Sequence, residues 1–180
     1  GSIILDALAP RVTGVVMGST EWSQGFLDLF GGDGYAVPTG GDQLTPLPWG
    51  NVDQVSISFS EDVDVSQDDL TIYGVNVAQY GFSDFTYDAG THTAIWTLDS
   101  PIVTTDRLQI ALSDLVTDPA TNDLDGEWAD GSSVYPSGNS AAGGDFLFSV
   151  NVLPGDASRD GVVDALDYIT VKQTFGTAAG

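Results

Sequence analysis

The sequence predicts a mainly β protein, an antiparallel β-sandwich that continues into an acidic loop and a short C-terminal helix. Three observations support this fold class. Short segments rich in β-branched and aromatic residues alternate with polar residues, turn residues separate these segments, and helical periodicity is almost absent. With 180 residues, 42% of them hydrophobic, the chain is long enough to bury a core.

Seven or so strands are predicted along the chain. Residues 11–18 are rich in β-branched side chains, and residues 53–60 place Val55, Ile57 and Phe59 on one face. A number of short strands with turns between them is typical of an antiparallel sandwich. The other strand candidates cover residues 70–74, 76–80, 82–87, 93–98, 106–112 and 145–152, with a hairpin turn at 88–90.

Residues 19–50 depart from this pattern, because they combine many glycines and prolines with several aromatic side chains. A short helix is predicted from Ser23 to Phe30, with Ser23 as its N-cap. The rest of the segment is predicted to be a long loop. Long loops in compact domains are usually functional or act as linkers.

The composition excludes several classes of function. The chain has 26 acidic and four basic residues and a formal charge of −22, which argues against binding to nucleic acid or to an anionic membrane surface. It has no cysteine, which excludes a disulfide scaffold, a thiolate zinc site and a cysteine nucleophile. We expect no transmembrane helix and no signal peptide, because no sufficiently long apolar segment is present.

The acidic residues are mostly aspartate. Only Glu21, Glu61 and Glu127 are glutamates. Aspartate is a poor helix former that favours turns, and it is a common oxygen ligand of calcium in loops. The main interpretation of this excess is solubility in a salty or calcium-rich exterior.

One motif predicts a metal site. Residues 156–167 have the spacing of an EF-hand loop, with Gly161 at the sixth position for the sharp turn. An oxygen donor stands at every ligand position. The predicted ligands are Asp156, Ser158, Asp160, the backbone carbonyl of Val162, Asp164 and Asp167.

Charge repulsion supports the assignment of calcium to this loop. Four converging carboxylates repel one another, and a bound divalent cation removes that cost. Calcium fits better than magnesium because it accepts many oxygens in irregular geometry, and the loop has no cysteine or histidine for zinc. The twelfth position, Asp167, is shorter than the usual glutamate. An ordinary Asp/Gly turn is the alternative interpretation.

Three stretches of the sequence carry a resemblance to a known family. They read VDQVSISFSEDVDVSQDDLTIYG, FTYDAGTHTAIWTLDSP and RLQIALSDLVTDPATNDLDGEW. In this order they resemble a bacterial Ig-like domain of large secreted or surface-layer proteins, over about residues 10–150. The resemblance implies an Ig-like β-sandwich over residues 3–152, with an insert at 23–50 that the family does not share.

The acidic loop and the following DYITVKQTFG segment resemble one repeat of a dockerin, a calcium-binding module of secreted bacterial glycan-degrading assemblies. Dockerins carry two repeats, and one is present here. The resemblance implies a second unit over residues 153–180, with a helix from Leu166 to Phe175 that docks on the sandwich or on a second repeat. The positions that match the dockerin pattern are Asp156, Ser158, Asp160, Gly161, Val163, Asp164, Asp167 and Lys172.

A cohesin-like partner is one expectation from the dockerin resemblance. Ala165 and Leu166 stand at the positions where dockerins often select a cohesin, and at these two positions the sequence departs from the family pattern.

Two further groups of residues suggest sites. Glu61, Asp118 and Asp123 lie in predicted strand-end loops, where they could hold a second calcium ion or form a solvated acidic rim. A carboxylate pair for glycoside hydrolysis is the other interpretation of this region. Trp49 and Trp128 lie in loops, where they could stack on sugar rings.

The sequence therefore predicts a non-catalytic, calcium-binding structural, adhesion or docking module of a larger secreted or cell-surface bacterial protein. The expected partners are calcium and a cohesin-like or surface protein, or a polysaccharide. The alternatives are a carbohydrate-binding module that uses loop aromatic residues and a small glycan-active enzyme.

Overall fold

A computed structural model describes residues 7–177, with side chains described as far as residue 173. Within this range the protein is mainly β, as predicted, with two antiparallel sheets and two α-helices. The strands are β1 (Val12–Gly18), β2 (Tyr35–Ala36), β3 (Val52–Phe59), β4 (Leu70–Gly74), β5 (Phe82–Asp88), β6 (Thr93–Ile102), β7 (Asp106–Leu112) and β8 (Phe146–Val152), and the helices are α1 (Gln24–Leu27) and α2 (Ala165–Thr177).

The five-stranded sheet has the order β2-β1-β3-β6-β5, and the three-stranded sheet has the order β4-β7-β8. Neighbouring strands within each sheet are antiparallel. The central strand of the larger sheet, β3, places Ile57 opposite Val15 of β1 and opposite Ala94 of β6. Its period-two pattern therefore buries one face of the sheet and leaves the other open.

Buried side chains of both sheets form one continuous hydrophobic cluster. Trp96 of β6 and Phe148 of β8 are fully buried in it, and Trp96 donates its indole N–H to the carbonyl of Gln67 at 3.1 Å. Truncating an aromatic side chain of this kind typically costs about 3–5 kcal/mol, because it leaves a cavity. Apolar burial therefore stabilises the two-sheet body.

The predicted strand at residues 76–80 is wrong. Asp106, at the start of β7, is buried, and its carboxylate accepts hydrogen bonds from the backbone N–H groups of residues 75–77 and from the Tyr80 hydroxyl. N–H groups that are bonded to a side chain are not available for a strand ladder. This segment is a bend, and only Tyr80 forms an isolated bridge back to β4.

The helix predicted over Ser23–Phe30 is present in two parts. The α-helix α1 begins after Ser23, which is the N-cap as predicted, and it continues as a 3₁₀ turn over Asp28–Phe30. Gly31 follows with φ of +94°, a left-handed conformation that glycine adopts without a steric cost.

The insert at 23–50 connects the two sheets. Its strand β2 pairs with β1 of the larger sheet, with Ala36 opposite Val16. Further along, Leu47 donates its N–H to the Asn151 carbonyl at 2.8 Å and accepts the Leu153 N–H at 2.9 Å. The residue therefore lies beside β8 in a parallel bridge with Val152.

The C-terminal helix α2 matches the helix predicted from Leu166 to Phe175 and extends about two residues at its C-terminal end. The side chain of Phe175, the last residue of the predicted helix, lies outside the described side chains. Among residues 7–177, no helix combines the length and the hydrophobicity needed to span a bilayer.

Candidate metal centre

The acidic loop begins directly after β8. Gly155 donates its N–H to the Pro48 carbonyl at 2.9 Å, and Asp156 donates its N–H to the Leu153 carbonyl at 3.1 Å. The first bond attaches the base of the loop to the insert. The loop then runs to α2, so it is held at both ends by regular structure.

The backbone of the loop folds around the carboxylate of Asp156, which is fully buried. One of its oxygens accepts the Asp160 N–H at 3.1 Å, and the other accepts the Gly161 N–H at 2.9 Å. Gly161 has φ of +89°, which permits the sharp turn expected at the sixth position of the loop.

Asp167 is the second buried carboxylate of the loop. It accepts the N–H of Ser158 at 2.9 Å and that of Asp164 at 2.7 Å. These backbone hydrogen bonds lower the pKa of Asp167 below its ordinary value, because they stabilise the charged form. Asp167 therefore links the start of α2 to the first half of the loop.

The other two carboxylates of the loop are exposed. Asp160 accepts the Val162 N–H at 3.0 Å, and Asp164 accepts the Leu166 N–H at 2.7 Å. Bonds of this kind are local turn and helix-capping contacts. Two of the predicted carboxylate ligands are thus turned into the loop, and two lie at its surface.

The donor chemistry of this loop fits calcium, since every predicted ligand is an oxygen and the turn at Gly161 has the required conformation. The ligand side chains of the loop do not form a preassembled cage around a single point. Across residues 7–177, no three or more Asp, Glu or His side chains are grouped closely enough to hold a metal ion. Calcium binding by the loop therefore stays a prediction.

A contact that the sequence did not reveal attaches the loop to the body. Arg159, in the loop, has φ of +59°, and its guanidinium donates to the Tyr35 hydroxyl at 3.2 Å. The same group lies 5.3 Å from the Tyr35 ring centre and 5.2 Å from that of Trp49. Both distances are within the range of a cation–π interaction.

The two rings under Arg159 belong to an aromatic cluster built by the insert and the residues around it. Neighbouring rings pack mostly edge to face, with centroids separated by 4.8 Å between Phe30 and Trp49 and by 5.1 Å between Trp22 and Phe26. Edge-to-face packing is favourable for aromatic quadrupoles. The aromatic cluster consists of Trp22, Phe26, Phe30, Tyr35 and Trp49.

The two tryptophans predicted to bind glycan are both engaged in packing. Trp49 is half-buried in the aromatic cluster beneath Arg159. Trp128 is also half-buried, with its indole N–H bonded to Gln43 at 3.1 Å and its ring centre 5.4 Å from that of Phe148. Neither ring is an isolated exposed platform, and stacking of either on a sugar stays a prediction.

The residues of the predicted second metal site have different environments. Asp118 is buried and accepts hydrogen bonds from the Asn122 backbone and side chain at 2.8 and 2.7 Å. Burial raises the pKa of Asp118, but these hydrogen bonds outweigh burial and lower the pKa overall. Glu61 is half-buried and Asp123 is exposed. A calcium ion here stays a prediction as well.

Comparison of the chain with protein-family models, with curated proteins and with solved structures finds no match. The Ig-like and dockerin-like resemblances therefore remain interpretations of the sequence motifs.

Proposed function

We propose that this chain is a non-catalytic structural module of a larger secreted or cell-surface bacterial protein, in which calcium fixes the loop at 156–167 against an Ig-like sandwich. The proposed ligands are the six predicted from the loop spacing. The work of the module is spacing, adhesion or docking, with calcium as its resident ion and a surface protein or a polysaccharide as its partner.

The observation that carries this proposal is the folding of the loop around two buried carboxylates, Asp156 and Asp167. Buried charges are costly unless they are paired or coordinate a metal. Backbone N–H groups supply part of that compensation. The two remaining aspartates of the loop, in a chain with a net charge of −22, add further repulsion that a divalent cation would remove.

The role of the insert follows from the contact of Arg159 with the aromatic cluster. That contact, with the Gly155 to Pro48 hydrogen bond, joins the loop to the body on two sides. An ion that orders the loop would therefore also fix the direction in which α2 leaves the body. Extracellular calcium modules have dissociation constants of about 10⁻⁴–10⁻³ M, which suits a site that fills outside the cell.

The fold supports the same proposal. Two antiparallel sheets that share one hydrophobic cluster are the basic arrangement of a β-sandwich, of which the Ig-like domain is one form. Sandwiches of this kind often act as spacers and binding modules on cell surfaces, so a non-catalytic role fits the fold.

The test is titration of the chain with Ca²⁺ by isothermal calorimetry, with chemical denaturation at 10 mM Ca²⁺ and in chelator. We expect one site of about 10⁻⁴–10⁻³ M and a gain of about 1.4–2.7 kcal/mol in the free energy of unfolding, because an ion that binds only the folded state stabilises it.

The substitution Asp156→Asn should abolish the binding heat, while the exposed Asp68→Asn, outside the loop, is the matched control and should retain it. Absence of binding heat in the unsubstituted chain at 10 mM Ca²⁺ would contradict the proposal. Equal loss of heat in both variants would also contradict it, since the loop would then have no special role.

A further inference from the structure

The outer face of the five-stranded sheet carries a groove of about 480 Å³ that lies away from the acidic loop. The insert borders it on the β1 side with Leu27 and Asp33, and the β5–β6 hairpin borders it on the other side with Asp88 and Thr91. Its floor consists of outward-facing residues of β1, β3 and β6, namely Val16, Gln54, Ser56, Ser58, Thr93 and Ile95.

The shape of the groove follows from the alternation of β1 and β3. Gln54 and Ser58 point away from the buried face of β3, and the residues opposite them on β1 are Gly18 and Gly14. Glycine contributes no side chain, so β1 adds no bulk beside Ser58 or Gln54. A Cβ on Gly14 would lie 4.0 Å from that of Ser58, which is ordinary contact. Gly18 is buried, and a Cβ there would lie 3.7 Å from the Asp33 carbonyl of the insert.

The chemistry of the floor is that of hydroxyl and amide groups. The Thr93 hydroxyl donates to the Thr91 carbonyl at 3.1 Å, so in the 3.0 Å contact between the two hydroxyls Ser58 donates to Thr93. Each hydroxyl has one donor and two acceptor sites, so the pair still offers acceptor sites to donors in the groove. Gln54 offers both a donor and an acceptor, while Val16 and Ile95 supply small apolar surfaces beside these polar groups.

The charges of the groove select against anions. Its charged lining residues are Asp33 and Asp88, with no basic residue among them, in a chain of net charge −22. Carboxylates at the border are strong acceptors for ligand hydroxyls. A ligand that suits this lining is uncharged, presents many hydroxyls and has C–H surfaces between them.

We propose that this groove binds a neutral oligosaccharide. The hydroxyl and amide groups of β3 and β6 bond the sugar hydroxyls, Val16 and Ile95 contact the apolar face of a ring, and the two border aspartates accept further hydroxyls. The site is separate from Trp49 and Trp128, and it does not depend on calcium in the acidic loop.

The test is affinity electrophoresis of the whole chain in chelator, through gels that contain soluble mixed-linkage β-glucan, xylan, galactomannan or amylose. Heparin and oligolysine serve as charged probes. The variant Ser56→Lys fills the centre of the floor, and the double variant Ser58→Ala/Thr93→Val removes the hydroxyl pair with little change of shape. Thr71, which alternates with the buried residues of β4 on the smaller sheet, provides the matched controls Thr71→Lys and Thr71→Val.

We expect retardation by at least one neutral polysaccharide, no retardation of Ser56→Lys, and a loss of about tenfold in affinity for the double variant, which corresponds to about 1.4 kcal/mol for the lost hydrogen bonds. Both Thr71 variants should bind normally, and circular dichroism confirms that each variant is folded. No retardation by any neutral polysaccharide would overturn the proposal. So would retardation by heparin or oligolysine alone, or binding that Ser56→Lys leaves unchanged.

Discussion

The two-sheet body and the C-terminal segment are held by different forces. In the body, the inward positions of the strands are apolar and almost fully buried, as Trp96 and Phe148 show. Among the described side chains of the C-terminal segment, residues 153–173, the buried ones are the carboxylates of Asp156 and Asp167, while the apolar residues Val162, Val163, Leu166 and Ile169 are about half exposed. Hydrophobic burial therefore stabilises most of the body, whereas hydrogen bonds, charge and the contact of Arg159 with two aromatic rings stabilise the segment.

This difference has a thermodynamic consequence. Apolar burial responds little to ions and pH, whereas a loop built from carboxylates and N–H groups responds to both. The two regions should therefore be separable by the conditions that destabilise each of them. Four predictions test these differences, beginning with the largest effect. Two of them concern Asp106, a buried carboxylate of the body that responds to pH although the apolar core around it does not.

Trp96→Ala should lower the free energy of unfolding of the body by about 3–5 kcal/mol, because it leaves a cavity in the shared core and an unpaired carbonyl at Gln67. Chemical denaturation followed by far-ultraviolet circular dichroism measures this change. Exposed Tyr73→Ala on β4 is the control and should cost much less. Equal losses from the two variants would mean that the shared core does not dominate the stability of the body.

Asp106→Asn should cost about 2–3 kcal/mol, since the amide replaces a charged acceptor of backbone N–H groups and of the Tyr80 hydroxyl. Denaturation at neutral pH measures the loss, and the exposed Asp68→Asn is the control. A loss no larger than that of the control would contradict the role of Asp106 in fixing the bend after β4.

The same residue predicts a pH dependence. Burial raises the pKa of Asp106, but the Tyr80 hydroxyl and the backbone N–H groups outweigh burial and lower the pKa below its ordinary value. The stability that this carboxylate contributes is therefore present above its ordinary pKa and is lost as the pH falls through the lowered one. Between about pH 5 and pH 2, the gap in stability between the unsubstituted chain and Asp106→Asn should narrow. A constant gap would count against this assignment.

Arg159→Lys should have the smallest effect and should leave the body unchanged. Lysine keeps the charge but lacks the planar guanidinium that lies over Tyr35 and Trp49. About 0.5–1 kcal/mol of cation–π interaction energy is therefore lost. Hydrogen exchange of the Asp160 and Gly161 amides should become about two- to fivefold faster.

The matched control for this prediction is Arg107→Lys, because Arg107 is an exposed arginine of the body. Exchange in β3 should stay the same in both variants. Faster exchange throughout the body in Arg159→Lys would show that the segment and the body unfold together, and would contradict their independent stabilisation.

The strands of the body could be predicted from the sequence because the alternation of apolar and polar residues depends only on neighbouring positions. The pattern Val55, Ile57 and Phe59 indicated β3 to within one residue, and residues 106–112 matched β7. The prediction of a strand at 76–80 failed because the structure of this segment depends on a distant residue. That segment is bent by Asp106, about thirty residues away, and local pattern carries no information on such a contact.

The candidate metal centre shows the same division. Spacing predicted the loop and its turn at Gly161, and the dockerin resemblance predicted the following helix. It could not predict that Arg159 contacts Tyr35 and Trp49, because this contact requires the insert to fold first and to bring both rings beside the base of β8. The pairing of Leu47 with β8 was missed for the same reason.

The position of Leu47 beside β8 has a mechanical consequence for the fold. A pull on the C-terminal segment is applied to the Val152 end of β8, which is bonded to β7 on one side and to Leu47 on the other. The load therefore divides between a strand of the small sheet and the insert, which passes it through β2 to the large sheet. Traction on one end of the chain is thus distributed over both layers rather than peeling a single edge.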